Sequence, residues 1–376
     1  MFQNSDIIRI FVLNLKISTM KKLFAPLCVV LFTISALCCS CSKSIVRGDE
    51  IRDLVLIYDG GDHRTIDWNK EKFAPYVATD AVDGKPAEWL FDGFLFLEIY
   101  CTQERGFAKW YRDEGARKED WVGLIDQYLS PHRDITALNE CVGEKRLEIG
   151  GEFHRRKVVL SLPEPIAKQT DWGELNGRSL DFNNDMDRLI AVKWYIDLLI
   201  ERFTEAELEN LQLSGFYWLT EQATHTRTFV RDVADYIHSK GLDFYWIPYF
   251  GSDGYTQTRE FGFDYVYLQP NHFFHPHIPD SRIQEAVDLA RKEGISNEME
   301  FDERVLQSNG NRGERLAAYI DTFERNGLFE NNNLAYYQGN DAFYQLKYGS
   351  ELDRSYYKRL SEIIARRQRE FYKEKR

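Results

Sequence analysis

Eight short apolar runs recur along the sequence, at 54–58, 94–100, 158–162, 211–222, 244–249, 265–269, 295–301 and 334–338, and segments with helical spacing separate them. Each run has the length of a strand and is dense in Val, Ile, Leu or aromatic residues. Several stop at turn signatures such as Asp59-Gly60-Gly61, Pro163-Glu164-Pro165 and Gly339-Asn340-Asp341. Between the runs, Leu189, Val192, Ile196, Leu199 and Phe203 step by three and four and define one helix face. Ile283, Ala286, Val287 and Ala290 do the same, and Gly241 and Gly294 stand where helix C-caps belong. Further helical patterns cover 225–240, 315–325 and 353–374, and the insertion at 102–156 holds two more, one around Trp121, Leu124, Ile125 and Tyr128 and one at 135–142.

A strand that returns through a helix pairs in parallel with its neighbour, so the alternation predicts an α/β fold with a parallel sheet, and the count of eight predicts closure into a single (β/α)8 TIM-type barrel. An open, doubly wound sheet that binds a dinucleotide would carry a Gly-x-Gly-x-x-Gly turn after the first run, and none is present. A chain of 376 residues with 14% aromatics and 10 prolines suits one compact domain, here expected over 51–376.

Barrels of this class place their chemistry at the carboxyl ends of the strands. The residues expected there are Tyr58, Asp59, Glu98, Glu164, Tyr217, Trp218, Glu221, Trp246, Tyr249, Tyr267, Gln269, Asn271, Glu298, Glu300, Tyr337 and Gln338. Acids, amides and aromatic rings together suit a carbohydrate, because rings cover the C–H faces of a sugar while acids and amides hydrogen-bond its hydroxyls. Tyr217 and Trp246 equally fit a packed core.

Cleaving a glycosidic bond takes two carboxyl groups, ~5–5.5 Å apart for retention of configuration and ~6.5–9.5 Å for inversion. Glu221, closing the fourth run, and Glu300, in the seventh, are placed to face each other across a barrel mouth. Ser296, Glu298 and Glu300 alternate with Asn297 and Met299, so period two puts both acids of that run on one face, with Glu298 the rival to Glu300.

Other chemistries find less support. A formal net charge of −12 with no internal basic block excludes a nucleic-acid partner. His272, His275 and His277 cluster in a loop next to Pro276 and Pro279 without a matching acid–histidine motif, so no metal is expected, and no organic cofactor motif appears. No Gly-x-Ser-x-Gly elbow supports a serine nucleophile.

The amino end reads as a lipoprotein signal. Met20-Lys21-Lys22 precedes an apolar run at 23–37, shorter than the ~20 residues that span a bilayer, and Ser40-Cys41 follows, with Cys39 the second choice for the acylated position. The expected organisation is a leader at 1–41 with translation starting at Met20, a tether at 42–50, and then the barrel. That implies anchorage through Cys41 to a bacterial membrane of the cell envelope, the outer membrane being favoured. Cys101 and Cys141, 40 residues apart, would then be the domain's remaining thiols, read as buried and unpaired.

The acid placement resembles the clan of retaining (β/α)8 glycoside hydrolases, in which a glutamate closing strand four is the acid/base and one closing strand seven is the nucleophile. That clan has Asn-Glu where this chain has Thr220-Glu221. Over the whole mature length the chain resembles a family of secreted bacterial lipoproteins, mainly from Bacteroidetes, known only as a domain of unknown function. The resemblance rests on Tyr58-Asp59-Gly60, Gly215-Phe216-Tyr217-Trp218, Trp246-Ile247-Pro248-Tyr249, Tyr267-Leu268-Gln269-Pro270-Asn271 and Glu298-Met299-Glu300-Phe301, and it implies a barrel and a setting of glycan use. The functional expectation is an exported, retaining glycoside hydrolase acting on a poly- or oligosaccharide. The alternative is a non-catalytic glycan-binding surface lipoprotein of an uptake system.

Overall fold

Described in a computed structural model are residues 50–374, except 61, 62 and 83. Eight parallel strands close into a barrel in chain order: β1 (Asp53–Tyr58), β2 (Gly93–Leu97), β3 (Arg156–Leu162), β4 (Leu211–Trp218), β5 (Asp243–Trp246), β6 (Tyr265–Leu268), β7 (Ser296–Glu300) and β8 (Leu334–Tyr337). β8 completes the circle by pairing with β1, Leu54 lying beside Ala335 on one side and Gly93 on the other. The predicted fold class is the observed one. Strand ends differ where local chemistry intervenes: the fifth run stops at Trp246 because Pro248 has no N–H for the ladder, and the second stops at Leu97.

Strand geometry sends alternate side chains inward and outward. On β2, Phe94 and Phe96 face out against Phe73 of the covering helix Lys70–Val77, while Leu97 faces in. On β7, Asn297 faces out and donates to the Ala286 carbonyl of helix Ser281–Glu293 at 3.3 Å, which leaves Glu298 and Glu300 facing in, as their period predicts. The helix Lys70–Val77 has no counterpart in the sequence reading, because Pro75 inside it and its short length mask the pattern. Asn69 marks its start, its side chain accepting from the Lys72 N–H at 2.9 Å.

β4 carries the irregularity that matters most for the site. Val158 lies opposite Leu213 but Val159 lies opposite Gly215, so Ser214 is an extra residue in the strand. Such a bulge shifts the parity of everything after it. Tyr217 therefore faces the barrel interior, and Trp218 faces out against Phe229 and Phe244. Gly215 is needed at the crossing with β5, where a Cβ would stand 2.0 Å from the Asp243 carbonyl oxygen.

The amino-terminal end of the barrel is closed by the long helix Glu351–Glu374. Asp53, fully buried, accepts from Arg367 Nε at 2.7 Å, Tyr336 Oη at 2.7 Å and Gln368 Nε2 at 2.8 Å. Asp92 accepts from the Asp53 N–H at 2.8 Å, so both buried carboxylates of the underside are hydrogen-bonded. Between β2 and β3 the predicted insertion supplies helices Lys118–Tyr128 and Asp134–Ile149. Cys101 and Cys141 are buried free thiols.

Candidate active site

A cavity of about 230 Å³ opens at the carboxyl ends of the strands. Its walls are rings: Tyr58 from β1, Tyr217 from β4, Tyr249 after β5, Phe274 after β6, Tyr337 from β8, and Tyr111 from the insertion. Leu56, Leu97 and Leu219 form apolar floor and wall, and Glu221, Gln269 and Asn271 contribute the polar groups. Hydroxyl, carboxyl and amide groups converge among the rings, a lining that suits a small polar ligand, and this volume lies below the ~300–1,000 Å³ of larger ligand clefts.

Glu221 is held from behind. Its neighbour Thr220 donates from Oγ1 to Glu164 Oε2 at 2.9 Å, and the Thr220 carbonyl accepts from Trp246 Nε1 at 2.7 Å, so both sides of the peptide leading to Glu221 are fixed. Gln269 Nε2 donates to Glu221 Oε1 at 3.2 Å while also binding the Ile247 carbonyl at 3.1 Å. Burial pushes the Glu221 carboxyl up to about 7, the Gln269 bond opposes that rise, and the nearby Glu300 adds to it.

Glu300, at the end of β7, is fully buried. Its Oε1 accepts from the Asn271 N–H at 3.2 Å, and its Oε2 accepts from the His272 N–H at 3.0 Å and from the Tyr319 hydroxyl. Burial raises its pKa and these donors pull against it. Asn271 adopts φ +53, a left-handed conformation that Asn tolerates, and this turns the chain so that two successive N–H groups point at one carboxylate.

Glu298, two residues deeper on the same face, is 1% exposed, and among the described residues neither oxygen has a hydrogen-bond partner. Burial drives its pKa well up, with Glu300 and Glu221 adding to the effect. The three acids thus sense one another electrostatically, but each has different support.

Several residues expected at the strand ends lie elsewhere, mostly because adjacent strand residues face opposite ways. Trp218 and Trp246 face the helix layer, Trp246 stacking on Phe263 at 4.8 Å. Tyr267 is fully buried in the barrel interior, and burial, with Tyr265 and then Asp92 adding to it, raises its phenol well above the ordinary value. Glu98 points away from the cavity into an ion pair with Arg64, also contacting His63 at 3.2 Å, and these partners hold its carboxyl below the usual range despite the burial that opposes them. Glu164 accepts from the Lys109 N–H at 2.9 Å as well as from Thr220, so it supports the loop that carries Glu221. Asp59 is buried beside Asp134 and Gln127, burial and Asp134 raising its pKa. Gln338 accepts from the Tyr76 hydroxyl at 3.0 Å and donates to the Leu56 carbonyl at 3.2 Å, both contacts of the fold. The residues that the structure brings together are Tyr58, Tyr217, Glu221, Tyr249, Gln269, Asn271 and Tyr337, with Glu300 and Glu298 next to them on β7.

Tyr111, Phe274 and Tyr319 escaped the sequence reading. The first two sit in loops, where no periodicity points to a face, and Tyr319 reaches Glu300 from the helix Gly313–Arg325. Among the histidines, His272 Nε2 lies 2.9 Å from Asp280, and burial together with Arg315 pushes its pKa down to about 4. The rings of His275 and His277 stand 5.7 Å apart, and among the described residues no three His, Cys, Asp or Glu side chains converge as metal ligands. Cys41, the leader and 42–49 of the tether lie outside the described residues.

No curated protein matches this chain. Among solved structures, a mutant tryptophan synthase α-subunit from the hyperthermophile Pyrococcus furiosus is similar at 10% identity and a TM-score of 0.37, covering 83% of this chain and 96% of its own. A type I 3-dehydroquinate dehydratase from Clostridium difficile is similar at 11% identity and a TM-score of 0.34, with 85% and 94% covered. A family model matches residues 53–362, most of the barrel, and the chain accordingly belongs to the family described as Domain of unknown function (DUF4855).

Proposed function

We propose that this protein is a glycoside hydrolase acting on a poly- or oligosaccharide with retention of configuration, Glu221 serving as acid/base and Glu300 as nucleophile. The observation that carries the reading is the difference between the two acids. Glu221 opens onto the ring-walled cavity with its carboxyl pushed up to about 7, suited to give and take a proton near neutrality. Glu300 has two backbone N–H groups and a phenol directed at it, donors that favour the charged form a nucleophile needs. The tyrosines around the cavity suit the C–H faces of a sugar ring, and Gln269 and Asn271 suit its hydroxyls.

The test is hydrolysis of a glycan panel by the purified domain, followed by Glu221→Gln and Glu300→Gln on whichever glycan responds. Both variants should lose turnover by at least ~10³-fold while still binding. Turnover unchanged in either variant removes that residue from the mechanism, and binding without turnover in the wild type makes the protein a glycan-binding module.

The proposed setting is the cell envelope, with acylated Cys41 as anchor. Cys41→Ala should release the protein from membranes and leave the barrel folded, as read by fractionation and circular dichroism. Palmitate label persisting in that variant would move the anchor to Cys39.

A further inference from the structure

All eight tryptophans lie among the described residues, and Trp110 alone is mostly in solvent, with 72% of its surface exposed. Its backbone is held at φ +80, a conformation costly for a bulky side chain. The loop around it is nevertheless tied down. On one side the Lys109 N–H donates to Glu164 at 2.9 Å, and on the other Tyr111 enters the wall of the central cavity. The Trp110 ring lies 6.3 Å from the ring of His225, four residues beyond Glu221, with the Lys109 ammonium 4.8 Å from its centre. An exposed indole thus stands on the rim, one residue from the cavity wall on its own loop and beside the loop that carries the acid.

From this placement we infer that Trp110 is a stacking platform for a sugar unit outside the central cavity, so that the ligand is a chain running over the rim between the β2 and β4 loops. The inference rests on the glycan reading above and extends it from a sugar to an oligosaccharide of several units. A cavity of about 230 Å³ accommodates little beyond a single ring, and a further ring leaving it past Tyr111 comes to the exposed indole of the next residue, Trp110. An indole buries large apolar area at small entropy cost, and a cation beside it suits a ligand rich in hydroxyl oxygen.

The experiment measures kcat/KM, or Kd by calorimetry for a ligand that is bound and not cut, across a length series of the responsive oligosaccharide. In the wild type affinity should rise with added units. In Trp110→Ala, which stays folded because the ring packs so little, that gain should fall by about tenfold through KM, and Trp110→Phe should restore most of it. Equal length dependence in wild type and Trp110→Ala overturns the platform and leaves the hydrolase reading intact. A wild type that neither binds nor cuts any glycan in the panel overturns both.

Discussion

Replacing Glu221 with Gln should stabilise the folded protein at neutral and alkaline pH and leave it unchanged below pH ~4.5. A carboxyl whose ordinary value is 4.5 is held at about 7 in the folded chain, chiefly by burial. The folded state therefore binds the proton more tightly than the unfolded state. The contribution is complete below pH ~4.5 and is lost as pH rises through about 7. At ~1.36 kcal/mol per pH unit the loss amounts to at most ~3 kcal/mol at pH 8, an upper bound because part of the side chain faces the open cavity. Gln keeps the shape and can still accept from Gln269 Nε2, so the substitution removes the charge and little else. Urea unfolding of the two proteins at pH 4.5, 6, 7 and 8 would read the effect as midpoints that nearly coincide at pH 4.5, are more than halfway separated at pH 6 and level off above pH 7, the variant being the more stable. The same variant should be inactive, so stability and turnover change in opposite directions, as happens where an active site holds a group in an unfavourable state. Parallel stability profiles over the whole range would refute the reasoning, because they would mean that Glu221 is solvated like a surface acid.

Arg367→Met should cost ~3–5 kcal/mol by leaving Asp53 buried without its guanidinium, and pairing it with Asp53→Asn should recover part of that loss in urea titrations. Asp134, held up at about 7 mainly by burial, weakens the fold as pH rises from ~4 through 7, so Asp134→Asn should gain stability at pH 8 relative to wild type and none at pH 4. Gly215→Ala forces a methyl group to 2.0 Å from a backbone oxygen that cannot move without breaking the β4–β5 ladder, so soluble yield and circular dichroism should collapse.

The barrel was legible because its signal is repetition: eight runs and their helices support one another even where single boundaries slip. Facing was legible only where one side of a strand is polar. On β7 the sequence Ser-Asn-Glu-Met-Glu declares its inner face, and the structure has Glu298 and Glu300 there. On β1, β2 and β5 both faces are buried and apolar, so adjacent residues such as Tyr58 and Asp59 or Tyr245 and Trp246 look equivalent in sequence and diverge in space. On β4 the bulge at Ser214 decides that Tyr217 and not Trp218 reaches the cavity, and a one-residue shift of pairing leaves no mark in composition. Tyr111 and Trp110 were hidden for a different reason. A long insertion shows that some loop covers the mouth and does not show which residues come back to it.

The histidine-rich segment shows how residue type alone can mislead about a site. His272, His275 and His277 look like ligands in waiting, yet the part of that loop that reaches the acids is backbone: the N–H groups of Asn271 and His272 on Glu300. Arg315 fixes the segment from the far side by donating to the carbonyls of His275 and Ile278 at 3.2 Å, and also to that of His272. The three glutamates at the mouth are identical in sequence and are distinguished by how many donors reach each. Among the described residues Glu300 has three, Glu221 has one and Glu298 has none, all in a site where burial favours the neutral form. Protonation should therefore favour Glu298 first, and the negative charge should settle on Glu300, with Glu221 poised between them. That ordering comes from the β6 loop and the helix after β7, two elements whose contribution is made by backbone amides and one phenol.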